Sequence, residues 1–406
     1  MTSLISDRLK ARMTVDANRY GRSDRSQASR WFWEIDRVLL LLVAVLIGIG
    51  LIAVAAASPA AAERYSGGSV QFSGLYYFYR QIFWIAVSLP VMIGISMLSR
   101  ERARRFSLFG AAFFFVLLIF VPILGPEING AQRWLELGVG QLQPSEFLKP
   151  LFVVAMAWLL SLRETDRSLP VLPLSALLTG AIAFLLMKQP DFGSTIIYAF
   201  VWIAMLALAG VSLRVLGGLA VAAVIGVILA YFFYDVATAR IDGFLFGEGD
   251  TFQTDNAMRT LTAGGLFGMG PGAGTRKFNL PEPHTDYIFS VIGEEFGLIA
   301  CLAIALLYMT IVARVLVKLL EEDSPFAILA AAGLVIQFGL QALINMAVNV
   351  QIAPSKGMTL PFISYGGSSM LALSMGMGLL LAFTRRNPYL TRSPYVVKWS
   401  GDCVPE

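Results

Sequence analysis

Along most of this chain, apolar residues run on without the two-residue alternation of a surface strand. Ten such runs fall near 38–58, 78–98, 106–125, 145–162, 169–188, 193–211, 214–236, 287–313, 325–349 and 365–384. Each has about the 20-residue length that carries a helix across a hydrocarbon core, and none shows the short alternating segments of a membrane barrel. The pattern predicts an all-α polytopic membrane protein with about ten transmembrane helices. Residues 1–37 are polar and arginine-rich without a helical period, which predicts a disordered tail ending in an interfacial Trp31-Phe32-Trp33 anchor. Residues 387–406 form a second polar tail, leaving 38–386 as one membrane domain. No early apolar core marks a cleavable leader.

Composition agrees with the pattern: hydrophobic residues make up 57% of the chain and charged residues only 14%, outside the range of soluble domains. A single histidine, His284, and two cysteines, Cys301 and Cys403, cannot build a disulfide framework or a zinc or haem site. Charge placement says more than the net +4. With the N-terminus inside, one face collects 21 of the 31 Lys and Arg residues. The positive-inside rule then predicts both termini in the cytoplasm. The opposite face carries loops 59–77, 126–144, 189–192, 237–286 and 350–364, the long one lying between helices 7 and 8. About 50 residues is far beyond ordinary connection lengths, and such loops usually serve a function. Six glycines between Gly264 and Gly274 read there as a flexible lid or turn cluster, or as backbone that approaches a ligand closely, and they fit no phosphate-loop pattern.

Charged residues inside apolar runs are costly and mark sites. Here they are Lys149, Lys188, Glu294 and Glu295, all in the outer part of the membrane, with none at a midplane. A transport site near the midplane would need one. The arrangement predicts a polar chamber open to the outer leaflet, suited to a lipid-linked substrate with a large polar head. Glu146 and Lys149, three apart on one helix face, are expected to pair, with Gln143 and Ser145 as capping groups. Gln189-Pro190-Asp191 opens the next outward helix end in a similar way. Arg133 and Trp134 sit in the preceding loop. Arg64, Arg80, Arg133, Arg240, Arg259, Arg276, Lys277 and Lys356 are outward cations, singly read as solvated and jointly able to hold a pyrophosphate. Asp286 precedes the run that starts at Tyr287, so it is expected to cap that helix, with its pKa depressed by the helix dipole. Such a carboxylate can still accept a proton from an attacking hydroxyl, with His284 and Glu282 as alternative bases.

Several stretches together resemble the SEDS family of bacterial membrane proteins. They are Gly130-Ala131-Gln132-Arg133-Trp134-Leu135, Gln143-Pro144-Ser145-Glu146-Phe147-Leu148-Lys149 and Lys188-Gln189-Pro190-Asp191-Phe192-Gly193. To these add Gly264-Gly265-Leu266-Phe267-Gly268, Pro281-Glu282-Pro283-His284-Thr285-Asp286, Gly293-Glu294-Glu295, and residues 354–369 from Pro354-Ser355-Lys356-Gly357 to Ser364-Tyr365-Gly366-Gly367-Ser368-Ser369. The resemblance spans residues 38–386 and implies ten membrane helices. It also implies a peptidoglycan glycosyltransferase that polymerises lipid II with a class B penicillin-binding protein, among other division membrane proteins. The setting would be the bacterial inner membrane at the septum, since residues 356–369 are closer to the cell-division branch than to the elongation branch.

The resemblance assigns the essential role to Asp286. Lys356, Lys149, Glu146, Arg133, Trp134, Arg259, His284, Glu282 and Ser364 become candidates for holding sugar and pyrophosphate. Glu294, Glu295, Asp191 and Lys188 become supporting groups. A divalent cation, Mg or Mn, is an open option, with Asp286 then a ligand instead of a base. Two other functions use the same features: a flippase that transports lipid II, and a non-catalytic division scaffold. Nothing in the chain points to nucleic acid.

Overall fold

A computed structural model describes residues 27–67, 71–127, 131–136, 141–166, 168–247, 252–355 and 357–385. Among the described residues, nine helices are long and apolar enough to cross a membrane: α2 (Arg37–Tyr65), α3 (Tyr76–Ser96), α4 (Arg100–Leu124), α5 (Pro144–Thr165), α6 (Val171–Lys188), α8 (Leu213–Phe233), α11 (Ile288–Leu319), α12 (Pro325–Asn349) and α13 (Gly367–Thr384). The shorter apolar α7 (Phe192–Leu208) makes the tenth of the expected segments. Each of the ten apolar runs has thus become a helix. Their starts are set by local chemistry: Asp36 accepts from Leu39 N at 3.0 Å, Asp191 from Ser194 N at 3.0 Å, and Ser324 from Ala327 N at 3.4 Å.

α5, α12 and α13 form the buried centre, with α3, α4, α7 and α11 packed around them. α8 has no buried residue and stands at the periphery. Ion pairs tie several helix ends together at the basic face. Asp36 meets Arg314 at 2.8 Å and Lys318 at 3.2 Å, and Arg100 meets Glu322 at 2.8 Å. The expected tail is shorter than 1–37, because α1 (Gln27–Glu34) is helical and Trp31 donates through Nε1 to Ser96 Oγ at 2.8 Å. Residues 1–26 and 386–406 lie outside the described residues.

The long outer connection is not a structureless loop. It holds α9 (Asp235–Leu245), α10 (Phe252–Ala263) and a 3₁₀ turn at Arg276–Asn279. Its glycine cluster is a packing device, not a flexible lid. α11 breaks at Gly297 (φ 81°, ψ 178°), and the glycine-rich segment inserts into the break. Met269 N and Gly270 N donate to the carbonyls of Glu294 (2.9 Å) and Glu295 (3.0 Å), while Leu298 N and Ile299 N donate to those of Gly265 (3.0 Å) and Leu266 (3.3 Å). A Cβ at Gly264 or Gly268 would collide with the α11 backbone, so no side chain is tolerated at either position.

The two glutamates next to the break complete the clamp. Glu294 accepts from Arg276 N at 2.6 Å and Lys277 N at 3.0 Å; Glu295 accepts from Gly272 N and pairs with the Lys277 ammonium. Lys277, read from sequence as a solvated cation, is instead buried and also donates to Ala56 O of α2 at 2.9 Å. Glu295→Ala strands that charge, so the variant should lose about 3–5 kcal/mol of stability. Replacing the pair together with Lys277→Met and Glu295→Leu should recover most of the loss. Thermal unfolding in detergent reads both; a Glu295→Ala midpoint equal to wild type contradicts the clamp.

Candidate functional site

The segment before α11 is held by its backbone. Three consecutive carbonyls each find a partner from the far end of the chain. Tyr365 N donates to His284 O at 2.9 Å, and Ser364 Oγ donates to Thr285 O at 2.6 Å. Asp286 O accepts from Asn345 Nδ2 at 2.9 Å and Asn349 Nδ2 at 3.1 Å. Those amides are themselves fixed: Asn345 Nδ2 also reaches Met358 O at 2.6 Å, and Asn349 Oδ1 accepts from Ser290 N and Oγ at 3.1 and 2.7 Å. Asn345 and Asn349 do carry a sequence signal, an amide every four residues (Gln337, Gln341, Asn345, Asn349) on an otherwise apolar helix.

Asp286 is not the helix cap. α11 begins at Ile288, Tyr287 occupies the cap position, and no side chain caps it. With its backbone pinned, the half-buried Asp286 carboxylate accepts no hydrogen bond among the described residues. Gly357 runs against it, where a Cβ would come within 3.0 Å of Oδ2. The expected depression of its pKa is reversed. Burial, and after it the negative charge of Glu282, push Asp286 up to about 7 against the opposing charges of Arg133 and Arg240, with Glu146 adding to the rise. Loss of solvent around the carboxylate outweighs the helix end, to which no capping bond connects it.

The neighbours divide by role. Glu282 sits in the left-handed region (φ 51°), a conformation costing an ordinary residue about 1 kcal/mol. Its two oxygens take Tyr65 OH and Thr285 Oγ1, the latter at 2.8 Å. His284 is buried against Tyr77, with ring centroids 4.1 Å apart, and against Tyr365 at 5.3 Å. Burial lowers its pKa to about 4, so its imidazole is neutral at physiological pH. It packs as an aromatic ring and is poorly suited to be the base.

Ser364, a candidate ligand from sequence, is buried, gives its proton to Thr285 O and accepts from Leu360 N, so it braces the loop. Arg133 donates to the carbonyls of Gln189 (3.2 Å for Nε) and Pro190, and Trp134 beside it is half-buried. Lys149 and Glu146 pair at 2.5 Å as expected, whereas Gln143 makes no side-chain cap. Asp191 caps α7. Arg259 is exposed on α10, and exposed Lys188 sits 5.0 Å from the Phe184 ring centroid; neither is drawn to Asp286. Lys356 lies outside the described residues.

Among the described residues no three His, Cys, Asp or Glu side chains converge, so a divalent cation at this place would be held by Asp286 together with phosphate oxygens of the substrate. The brace itself is testable by stability. Ser364→Ala leaves Thr285 O and Leu360 N without their partner, and Asn349→Ala does the same to Ser290. Each should cost about 1–3 kcal/mol, seen as a lower unfolding midpoint in detergent, and an unchanged midpoint in both would contradict the brace.

Comparison with known proteins places this architecture. Residues 37–389 match the family model of cell cycle proteins named for FtsW, RodA and SpoVE. The probable peptidoglycan glycosyltransferase FtsW of Caulobacter vibrioides is 40% identical over 375 residues, covering 91% of this chain and 94% of its own. That of Alkalilimnicola ehrlichii is 34% identical over 378 residues, covering 89% and 92%. Among solved structures, a chain from a peptidoglycan synthase complex superposes with a TM-score of 0.69 at 27% identity, over 86% of this chain and 97% of that one. The rod shape determining protein RodA of Thermus thermophilus gives 0.63 at 27% identity, over 86% and 96%. The chain belongs to the FtsW, RodA and SpoVE family of cell cycle proteins.

Proposed function

We propose that this protein is a peptidoglycan glycosyltransferase that polymerises lipid II into β-1,4 glycan strands for septal wall synthesis. The observation that carries the reading is a carboxylate with no hydrogen-bond partner among the described residues, its backbone fixed at three successive carbonyls, set among the charges of Glu282, Arg133, Glu146 and Arg240 at the end of the outer connection. The names of the FtsW relatives support the activity, and the synthase-complex neighbour supports a penicillin-binding protein as partner. The chain would sit in the bacterial inner membrane with its basic face and both termini in the cytoplasm.

In the reaction, the 4-hydroxyl of an acceptor GlcNAc attacks C1 of a donor MurNAc. The C1–O bond to undecaprenyl pyrophosphate breaks, its electron pair leaves with the pyrophosphate, and the α-linked donor inverts to a β-1,4 bond. Asp286 takes the hydroxyl proton as it becomes acidic. A carboxylate with pKa about 7 is ionised in a large fraction at neutral pH and is a stronger base than an ordinary aspartate. Arg133, whose charge acts on Asp286 and which is held in place by the Gln189 and Pro190 carbonyls, is the cation assigned to the departing charge.

The test is polymerisation of lipid II in detergent by the purified chain with its transpeptidase partner. Wild type should give glycan strands, and Asp286→Ala should slow the reaction by about 100-fold or more. Undiminished polymer from the variant would remove Asp286 from the chemistry. No polymer from wild type would favour the flippase or the scaffold.

A further inference from the structure

Among the described residues, four basic residues on the outer side are not exposed: Arg133, Lys149, Arg240 and Lys277. Three have acceptors already described. Arg133 holds two carbonyls, Lys149 pairs with Glu146, and Lys277 pairs with Glu295. Arg240, on α9, makes no hydrogen bond and no ion pair with any described residue. A guanidinium taken partly out of water without an acceptor is unfavourable, and here Arg133 is a like charge acting on it. Burial and that neighbour lower its pKa, and Asp191 opposes them.

What lies beside Arg240 is a cavity of about 360 Å³. Its other walls are Thr254 and Asp255 of α10 and Gln351 and Ser355 of the next outer loop. Asp255 is engaged by Gln351 Nε2 at 3.0 Å. Ser355 stands two residues before Gly357, which abuts the Asp286 carboxylate. The chamber and the carboxylate are therefore bordered by residues two apart in one loop, and the charge of Arg240 acts on Asp286.

We propose that Arg240 and this chamber form a diphosphate subsite that receives the leaving pyrophosphate of the lipid-linked donor. The inference rests on the glycosyltransferase reading and adds a residue that reading does not assign. A guanidinium can grip phosphate oxygens two at a time, which a lysine cannot. As the C1–O bond breaks, the electron pair moves onto the pyrophosphate oxygen, and a cation placed there is worth most at that moment.

The experiment uses the full chain with its transpeptidase partner, as wild type, Arg240→Gln and Arg240→Lys. Inorganic pyrophosphate is the first probe, read both as thermal protection without turnover and as inhibition of polymerisation. Wild type should be protected and inhibited. Arg240→Gln should need about ten- to a hundredfold more pyrophosphate for either effect, with an unfolding midpoint like wild type in its absence. Arg240→Lys should fall between them. A second arm compares lipid II with the same lipid carrying no peptide, which separates a phosphate site from a peptide site. The Arg240→Gln defect should persist on the trimmed lipid.

Wild type that polymerises but is neither protected nor inhibited, or Arg240→Gln with wild-type sensitivity, overturns the subsite. So does a defect that disappears with the peptide, because the chamber would then read the stem peptide. Protection of wild type that Arg240→Gln lacks, in a protein that makes no polymer, would keep the diphosphate site while sinking the glycosyltransferase reading.

Discussion

The break in α11 at Gly297 is the constraint on which the outer half of the molecule depends. Backbone at membrane depth must have its hydrogen bonds made by protein, since lipid offers none. Breaking a helix there frees N–H and carbonyl groups, and the glycine-rich segment supplies partners for them in both directions. The same insertion buries a lysine, which survives because Glu295 and the Ala56 carbonyl meet it. Backbone exchange, steric demand for glycine and a buried ion pair thus act at one place. They fix where the outer connection re-enters α11, and hence where residues 281–287 begin.

From that fixed point the candidate site is presented by its main chain. Asp286 could have spent its carboxylate on capping the helix; instead the carbonyls of residues 284–286 are held by Tyr365, Ser364, Asn345 and Asn349. Among the described residues the side chain accepts no hydrogen bond, and its position is set through the bonds to its backbone. Partial burial then raises its proton affinity, with Glu282 beside it and the cations opposing. A base that is fixed, lightly solvated and near neutral in pKa is what proton removal from a sugar hydroxyl needs.

The membrane helices were legible in the sequence because bilayer thickness imposes a local length on each apolar run. Glu146 with Lys149 was legible for the same reason, being a contact within one helix turn. What was not legible depended on distant partners. The cap role of Asp286 failed because residues 345–365 claim the backbone before the helix starts. The glycine cluster looked flexible because the break it fills lies some thirty residues further on. Lys277 looked solvated and Ser364 looked available, since neither the Glu295 carboxylate nor the Thr285 carbonyl is near them in sequence. Arg240 was one cation among eight until the fold showed that Arg133 and Lys277 have acceptors and that it has none among the described residues.

The proposed role of Asp286 is that of a base whose proton affinity is raised by burial and by Glu282. The most direct measurement is the pH dependence of lipid II polymerisation at saturating substrate, for wild type and for Glu282→Gln. The carboxylate is active when ionised, so a pKa raised to about 7 predicts a rate that climbs with pH and reaches half its plateau near 7. Removing the negative charge of Glu282 should move that midpoint to lower pH, while Arg133, Arg240 and Glu146, the other charges acting on Asp286, stay in place. A wild-type rate that is flat from pH 5.5 to 8, or a midpoint that Glu282→Gln leaves unmoved, would contradict it.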